Sequence, residues 1–300
     1  MTKKALVTGA SGFTGIYLCE KLAESGFEVL GLGGRSNAPS DFSFNFESVD
    51  LTDQQGLTDC VKNFQPDWVF HLAGIAFAAH SDAAAYYRVN VIGAENLLKA
   101  VIEGAPNCSS VVISSSANVY GIPPNGQPLS EAHSNPAPVN HYACSKLSME
   151  HIALTYRDRL PIVLARPFNY TGPGQDPIFV VPKIMSHFRD KKDSIELGNL
   201  AAVRDFSDVR DVAKSYLLLA EHGKVGEIYN LCSGKGVSLD EILTMAKEIS
   251  GHDLEIKVNQ AFIRPTDIQV LIGSNQKFTD AFGAMDRIPF RKTIEDMLAS

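Results

Sequence analysis

"KALVTGASGFTG", Lys4 to Gly15, is the stretch on which the fold turns. Its first half is a short run of small and β-branched apolar residues, which predicts a strand. Its second half spaces Gly9, Gly12 and Gly15 as G-x-x-G-x-x-G, and Phe13 to Glu24 predicts a helix opening directly from them. Small residues at a strand-to-helix junction let the backbone approach a pyrophosphate, which meets free amides and the positive end of the helix dipole there. A glycine turn with a purely structural role is the plainer alternative. Placement between a strand and a helix argues for a dinucleotide instead. Ser11, Phe13 and Thr14 join the three glycines as candidate cofactor contacts.

The same alternation continues downstream. "EVLGL", "ESVDL", "DWVFHLAG", "VVISSS" and "PIVLARPF" read as strands, and Asp53–Phe64, Asp82–Glu103 and Asn140–Arg159 as helices. Strands alternating with helices argue for crossover units and a parallel sheet covered on both faces, with an antiparallel α+β arrangement as the alternative. The expected class is α/β, a Rossmann-type doubly wound parallel sheet. After Phe168 the pattern changes. "NYTGPGQDP" is dense in breakers and predicts a loop. Shorter elements follow: helices near Val181–Arg189 and Asp208–Glu221, a strand "EIYNLCS", and a helix over Leu239–Ile249. Residues 1–168 are expected to form the cofactor domain, with segments of about 205–232 returning to it. Residues 169–300 form mainly a smaller substrate-binding α/β domain.

A chain of 300 residues, 45% apolar and 20% charged, buries an ordinary core in one large or two modest domains. Its net charge of −7 argues against a general nucleic-acid or membrane-surface role. Five scattered cysteines make no Cys-x-x-Cys pair, which suits a reducing, cytoplasmic compartment. The start "MTKKALVTGA" lacks the apolar stretch of a signal peptide, and no apolar run reaches the length of a membrane span. His133, His141, His187 and His222 show no ligand spacing, so no metal is predicted. The aromatic cluster "DFSFNF" reads as a loop packed on the sheet.

A dinucleotide fold that takes NAD places an acid at the end of its second strand, for the ribose 2′-hydroxyl. Here that strand ends "GLGGRSN", and no acid occurs between Glu28 and Asp41. Arg35 with Ser36 matches a 2′-phosphate in charge and geometry, which favours NADP(H) and leaves NAD(H) possible. An Arg on a solvated loop is the alternative. Asp50 and Leu51, ending the third strand, are candidates for an adenine contact, although Asp50 could instead cap the next helix.

The strand "VVISSS" ends in three hydroxyls, Ser114, Ser115 and Ser116, where a strand needs none. A serine beside a nicotinamide polarises a carbonyl and requires a proton donor opposite. "HYACSKLSME" offers Tyr142 and Lys146, four apart on one helix face. An ammonium near a phenol favours the phenolate and poises it for proton transfer near neutral pH. Alone, such a spacing is usually a surface pair. His71 in "VFHLAG" reads as a strand-end residue near the cofactor, and His80 and Ser81 as residues that could touch a sugar.

"TGASGFTG", "HLAG", "RVNVIGAENLL", "ISSSANVYG", "YACSK" and "RPFNYTGPGQ" occur in the order of the extended short-chain dehydrogenase/reductases, which the chain resembles over nearly its whole length. That resemblance implies Ser116 as the catalytic hydroxyl, because it stands four residues before the Tyr of "VYG". It implies Tyr142 as proton donor, Lys146 as its electrostatic partner and ribose ligand, and Asn90 as a structural contributor. Leu72, Ala73, Gly74, Ser114 and Pro167 would border the cofactor, and Ser115 and Asn118 the substrate. Dehydratases of the family carry an acid pair after the catalytic hydroxyl; Ala117 and Asn118 stand there instead and disfavour dehydration.

The C-terminal stretches "IELGNLAAVRDFSDVRDVAKSYLLL", "YNLCSG" and "RPTDIQVLIGSNQKF" resemble the GDP-mannose branch of the family. The resemblance implies Asn169, Lys183, Arg204 and Arg264 on the diphosphate side of the substrate, with pairing of Arg204 to Asp205, Asp208 or Asp211 as the alternative. It implies NADPH-dependent reduction of the 4-ketone of a nucleotide-linked 4-keto-6-deoxyhexose, foremost GDP-4-keto-6-deoxymannose to GDP-D-rhamnose, in deoxysugar biosynthesis. A 6-deoxytalose-forming reductase on GDP or dTDP, a nucleotide-sugar 4-epimerase and a non-catalytic cofactor sensor are the other readings. The helices around Asp82–Glu103 and Asn140–Arg159 resemble the family's dimer contact, so a homodimer is expected.

Overall fold

The computed structural model describes residues 2–34, 42–75, 82–123, 126–262 and 268–300. Its first half runs β1 (Lys4–Thr8), α1 (Phe13–Glu24), β2 (Glu28–Gly33), β3 (Asn45–Ser48), α2 (Gln54–Phe64), β4 (Trp68–His71), α3 (Ala83–Tyr86), a π-helical turn over Tyr87–Ile92, α4 (Gly93–Gly104) and β5 (Ser110–Ser114). A 3₁₀ turn over Ala117–Tyr120, α5 (His141–Leu154), β6 (Ile162–Pro167), β7 (Asn169–Thr171), α6 (Val180–Arg189), β8 (Ser194–Leu197) and β9 (Val203–Asp208) follow. The remainder is α7 (Val209–His222), β10 (Ile228–Leu231), β11 (Gly236–Ser238), α8 (Leu239–Ser250), β12 (Glu255–Val258), β13 (Val270–Leu271), α9 (Gln276–Phe282) and α10 (Phe290–Ala299).

Seven strands form one sheet in the order β10-β6-β5-β4-β1-β2-β3. The pairs from β3 across to β6 are all parallel. From β1 the chain winds outward to β3, then returns to place β4 on the other side of β1. That reversal opens a crevice beyond the C-terminal ends of β1 and β4, where doubly wound sheets bind ligands. This is the Rossmann-type α/β architecture. Register sets which side chains share a face: Leu6 pairs Val69, Val69 pairs Val111, and Val111 pairs Ile162. With Leu57, Leu97, Leu98, Val101 and Met149 from the covering helices they form one buried cluster. Truncating a wholly buried member such as Leu98 to Ala should cost about 2–5 kcal/mol.

Several boundaries differ from the sequence reading. The third strand ends at Ser48, so Asp50 lies beyond it; its carboxylate accepts from the Thr52 amide and hydroxyl, both at 2.8 Å. The cap of α2 is Asp53, whose Oδ1 accepts from Gly56 N at 3.0 Å. The helix expected over Asp82–Glu103 is interrupted by the π turn, and the one expected to reach Arg159 ends at Leu154. "NYTGPGQDP" is not all loop, because Asn169–Thr171 pairs with Phe206–Asp208 as β7 against β9. Among the "DFSFNF" aromatics, Phe42 and Phe44 stack at 4.5 Å between centroids, and Phe44 fills the space that a side chain at Gly31 would need.

The chain divides into two compact units. The first comprises Met1–Gly121, Pro136–Pro167 and Ala213–Tyr229; the second comprises Ile122–Asn135, Phe168–Val212 and Asn230–Ser300. Membership of Ile122–Asn135 in the second unit had no signal in the sequence pattern. Within the second unit β11, β9 and β13 form a sheet joined by β7, while β12 pairs β8. Its core gathers Val181, Ile184, Met185, Ile195, Leu197, Ile242, Leu243, Ile294 and Met297. Among the described residues no helix is long and apolar enough to cross a membrane.

Candidate active site

The glycine loop forms where β1 ends. Gly9 has φ +72°, and a side chain there would meet Ala73 N at 2.8 Å. A Cβ at Gly15 would lie 2.1 Å from the Gly9 carbonyl oxygen. The loop therefore closes only with glycine at both positions, and it brings "TGASGFTG" against the "LAG" that follows β4. Gly12 is the N-cap of α1 and supplies no side-chain cap, so the first amides of that helix face the loop. Ser11 Oγ sits 2.9 Å from where a Gly33 side chain would begin, at the end of β2. Leu51 is buried, and its carbonyl oxygen accepts from Asn96 Nδ2 at 2.9 Å.

At the ends of β5 and β6 the three serines separate in role. Ser114 Oγ shares a 2.6 Å hydrogen bond with Tyr216 Oη. Ser116 caps the 3₁₀ turn, its Oγ accepting from Asn118 N and Asn118 Nδ2, each at 3.2 Å. Ser115 is 2% exposed, and its Oγ has no partner among the described residues. The residues after Ser116 are buried Ala117 and half-buried Asn118, so no carboxylate follows that serine in the chain. Pro167, closing β6, is buried.

Helix α5 carries the second half of the constellation. Asn140 caps it through Ala143 N at 2.9 Å, which fixes where Tyr142 and Lys146 emerge. Both are buried. Lys146 Nζ donates to the Ser114 carbonyl oxygen at 2.7 Å, and a side chain at Gly74 would crowd it at 3.3 Å. Burial draws the Lys146 pKa down to about 8, against the opposing pull of Glu150. The Tyr142 ring lies 6.2 Å from that of Tyr86.

Asn90 sits in the π turn and is wholly buried. Its Oδ1 accepts from Ile75 N and its Nδ2 donates to Ser145 Oγ, both at 2.9 Å. Ser145 Oγ in turn donates to the Tyr142 carbonyl oxygen at 2.8 Å. Asn90 thus ties the loop after β4 to the helix of Tyr142 and Lys146, and the π turn supplies the extra residue that aims it there. The sequence reading grouped Asn90 with the catalytic residues as a structural contributor, and the bonds it makes here are those of a brace.

His71 is more than a strand-end residue. Its Nδ1 shares a 2.8 Å hydrogen bond with Thr8 Oγ1, which also accepts from Ala73 N at 3.3 Å. Burial, and then the Lys146 charge, push the imidazole pKa down to about 3, so the ring is neutral. Its Nε2 is buried with no partner among the described residues. Thr8, Ser145, Glu150 and Arg166 were all missed as contributors. A signal existed for the last two: an acid on the buried stripe of a helix and an Arg in an apolar strand each require a partner.

In the second unit, Asn169 lies exposed on β7. Lys183 Nζ donates to the Glu196 carbonyl oxygen at 2.8 Å and lies 5.1 Å from the Phe262 ring centroid. Arg204 Nη1 donates to the Val203 carbonyl oxygen at 3.0 Å. The three acids offered as its partners bond elsewhere as well. Asp205 accepts from Ser233 and Gly234, Asp208 from Arg210 and Thr293, and Asp211 from Ile288 N. Arg35, Ser36, His80, Ser81 and Arg264 lie outside the described residues. Among the described residues no cluster of His, Cys, Asp and Glu could hold a metal ion.

Residues 5–232 match the family model described as NAD dependent epimerase/dehydratase family. The chain belongs to that family. It is 39% identical over 283 residues to GDP-6-deoxy-D-talose 4-dehydrogenase of Aggregatibacter actinomycetemcomitans, covering 93% of this chain and 91% of that one. To GDP-6-deoxy-D-mannose reductase of Pseudomonas aeruginosa it is 31% identical over 311 residues, covering 100% and 97%. Two solved members of the family superimpose closely. UDP-glucose 4-epimerase of Thermus thermophilus with NAD gives a TM-score of 0.89 at 29% identity, covering 99% and 98%. RMD of Pseudomonas aeruginosa with NADPH gives 0.85 at 32%, covering 100% and 97%. The protein is an NAD(P)-dependent oxidoreductase. The cradle fits such a cofactor: positions where any side chain would collide with backbone line it, and the N-terminus of α1, whose N-cap Gly12 carries no side chain, closes it.

Proposed function

We propose that the protein reduces the 4-ketone of a nucleotide-linked 4-keto-6-deoxyhexose with NADPH, and that GDP-4-keto-6-deoxymannose is its substrate. The observation that carries the reading is the Ser116–Tyr142–Lys146 group with Ala117 and Asn118, rather than carboxylates, following the serine. Hydride transfer at C4 needs a hydroxyl to hold the oxygen and an acid to protonate it. Dehydration across C5 and C6 needs a further acid and base after the serine, and Ala117 and Asn118 supply neither. Between the two possible C4 configurations, the 39% identity to a talose enzyme against 31% to a mannose enzyme favours 6-deoxy-D-talose. The sequence reading had put D-rhamnose first.

When bound, the dinucleotide supplies the hydride. Gly9, Gly12, Gly15 and Ser11 hold its pyrophosphate, Leu51 and Asp50 border its adenine, and Leu72 to Gly74 its ribose. Arg35 and Ser36 take a 2′-phosphate, hence NADPH. Ser116, held by Asn118, donates to the C4 oxygen. Tyr142 gives that oxygen its proton as negative charge develops, and the Lys146 ammonium makes the phenol acid enough to do so near neutral pH. Asn90 keeps both groups in register through Ser145. Ser115, Asn118, Asn169, Lys183, Arg204 and Arg264 receive the sugar and its diphosphate. We read the protein as a cytoplasmic homodimer joined through α4 and α5; a monomer mass in light scattering would count against that assembly.

Tyr142→Phe tests the chemistry. It should leave NADPH binding intact and lower kcat by about 10²–10⁴-fold, the loss expected for a positioned acid. Turnover within a few-fold of wild type would remove Tyr142 from the mechanism.

A further inference from the structure

One helical turn beyond Lys146, on the same face of α5, stands Glu150, only 2% exposed. A carboxylate so far from water requires a partner. Arg166 of β6 provides it: Nε donates to Glu150 Oε1 at 2.9 Å and Nη2 to Oε2 at 2.6 Å. The guanidinium also lies 4.7 Å from the centroid of the Tyr120 ring, and Tyr120 closes the turn that Ser116 caps. A buried chain of groups therefore runs from the lysine's own helix through β6 to the serine's turn.

Such a pair holds a fold together little better than apolar side chains of equal volume, so its position behind a buried lysine asks for another reason. The groups around Lys146 come from every neighbouring element. β5 offers the Ser114 carbonyl, β4 the neutral His71, the loop after it Gly74, and the π turn Asn90. Its own helix carries Tyr142 and Glu150, and β6 sets Arg166 behind Glu150. Among these described residues the negative charge comes from Glu150, and it opposes the loss of the Lys146 proton that burial favours.

We propose that Glu150 is a positioning residue: fixed by Arg166 in one orientation, its carboxylate holds the positive charge on Lys146 and so sets the acidity of Tyr142. The consequence for turnover rests on the reaction proposed above; the coupling of the two charges does not. The test therefore begins with the protein alone, lysines labelled with ¹³C at Cε and the Lys146 resonance assigned with Lys146→Arg. Glu150→Gln should lower the Lys146 titration midpoint by about one pH unit or more, as removal of an adjacent opposite charge does. Glu150→Asp, which keeps the charge, should titrate close to wild type. Glu150→Gln with Arg166→Met also removes the cation left behind, and should fall between the two. With substrate, the basic limb of the kcat profile in Glu150→Gln should move down by the same interval. An unmoved midpoint in folded Glu150→Gln, or in the double variant should the single one not fold, overturns the proposal. A wild-type protein that reduces no keto-sugar would overturn the reaction while the lysine titration still decides the role of Glu150.

Discussion

Lys146 Nζ donates to the Ser114 carbonyl oxygen across 2.7 Å, tying the helix of the candidate acid to the strand of the candidate hydroxyl. The bond forms at a cost, because the lysine is 4% exposed and its pKa falls from 10.5 to about 8. The unfolded chain holds that proton more tightly. Charged Lys146 therefore opposes folding below pH 8, by about 3 kcal/mol, and the penalty fades as pH rises toward 10.5. Lys146→Met should raise the unfolding free energy at pH 7 by about 1–2 kcal/mol once the lost hydrogen bond is subtracted. It should also flatten the rise in stability at alkaline pH and abolish reduction. Urea unfolding at pH 7 and pH 10 measures the first two; a destabilised variant would contradict them.

His71 gives a pH signature of the same sign in a lower window. Its pKa falls from 6.5 to about 3 on burial, so the unfolded chain takes up a proton below 6.5 that the native ring refuses. Stability should fall through that window, by about 2 kcal/mol between pH 6.5 and 5 from this residue alone. Urea unfolding of wild type and His71→Gln at both pH values isolates the contribution, since the carboxylates titrate alike in the two proteins. Equal losses would mean that His71 is protonated in the fold.

The glycine cradle admits a sharper steric test. A Cβ at Gly15 falls 2.1 Å from one backbone atom and 2.7 Å from another, so the loop must open to accept it. Gly15→Ala should cost about 1–3 kcal/mol of stability, as overpacking does, and weaken dinucleotide binding at least tenfold. Fluorescence titration with NADPH reads the binding. Unchanged affinity would place the pyrophosphate elsewhere.

In the proposed reading, cofactor preference turns on Arg35. Titration should show tighter binding of NADPH than of NADH, and Arg35→Ala should narrow the difference by weakening NADPH alone. Equal affinities in wild type would contradict a 2′-phosphate site.

The sequence made the sheet legible because its inner strands, such as β1, β4, β5 and β6, are buried and therefore read as continuous apolar runs. Motif residues close in sequence were equally plain: the glycines, the serines, and Tyr142 with Lys146. What escaped were bonds between distant segments. Thr8 and His71 are 63 residues apart and meet only because β1 and β4 are neighbours across the reversal of strand order. Asn90 reaches Ser145 through a π turn that no helical periodicity announces. Asp205, one of three acids offered as partners for Arg204, also accepts from Ser233, Gly234 and Gly273, which lie well after it in the chain. Pattern reading finds elements and local pairs; these contacts depend on the order in which the strands assemble.

The central claim is hydride delivery to C4 of a nucleotide-linked 4-keto-6-deoxyhexose. The most direct measurement supplies NADPH deuterated at nicotinamide C4 with GDP-4-keto-6-deoxymannose made in situ, and identifies the product by NMR. The account predicts one NADPH consumed per sugar, deuterium at C4 of the hexose, and the talo configuration there. A rhamnose product would correct the stereochemistry and keep the reaction. Interconversion of ordinary nucleotide hexoses with no net loss of NADPH, or a keto-sugar left unreduced by protein that binds the cofactor, would contradict it.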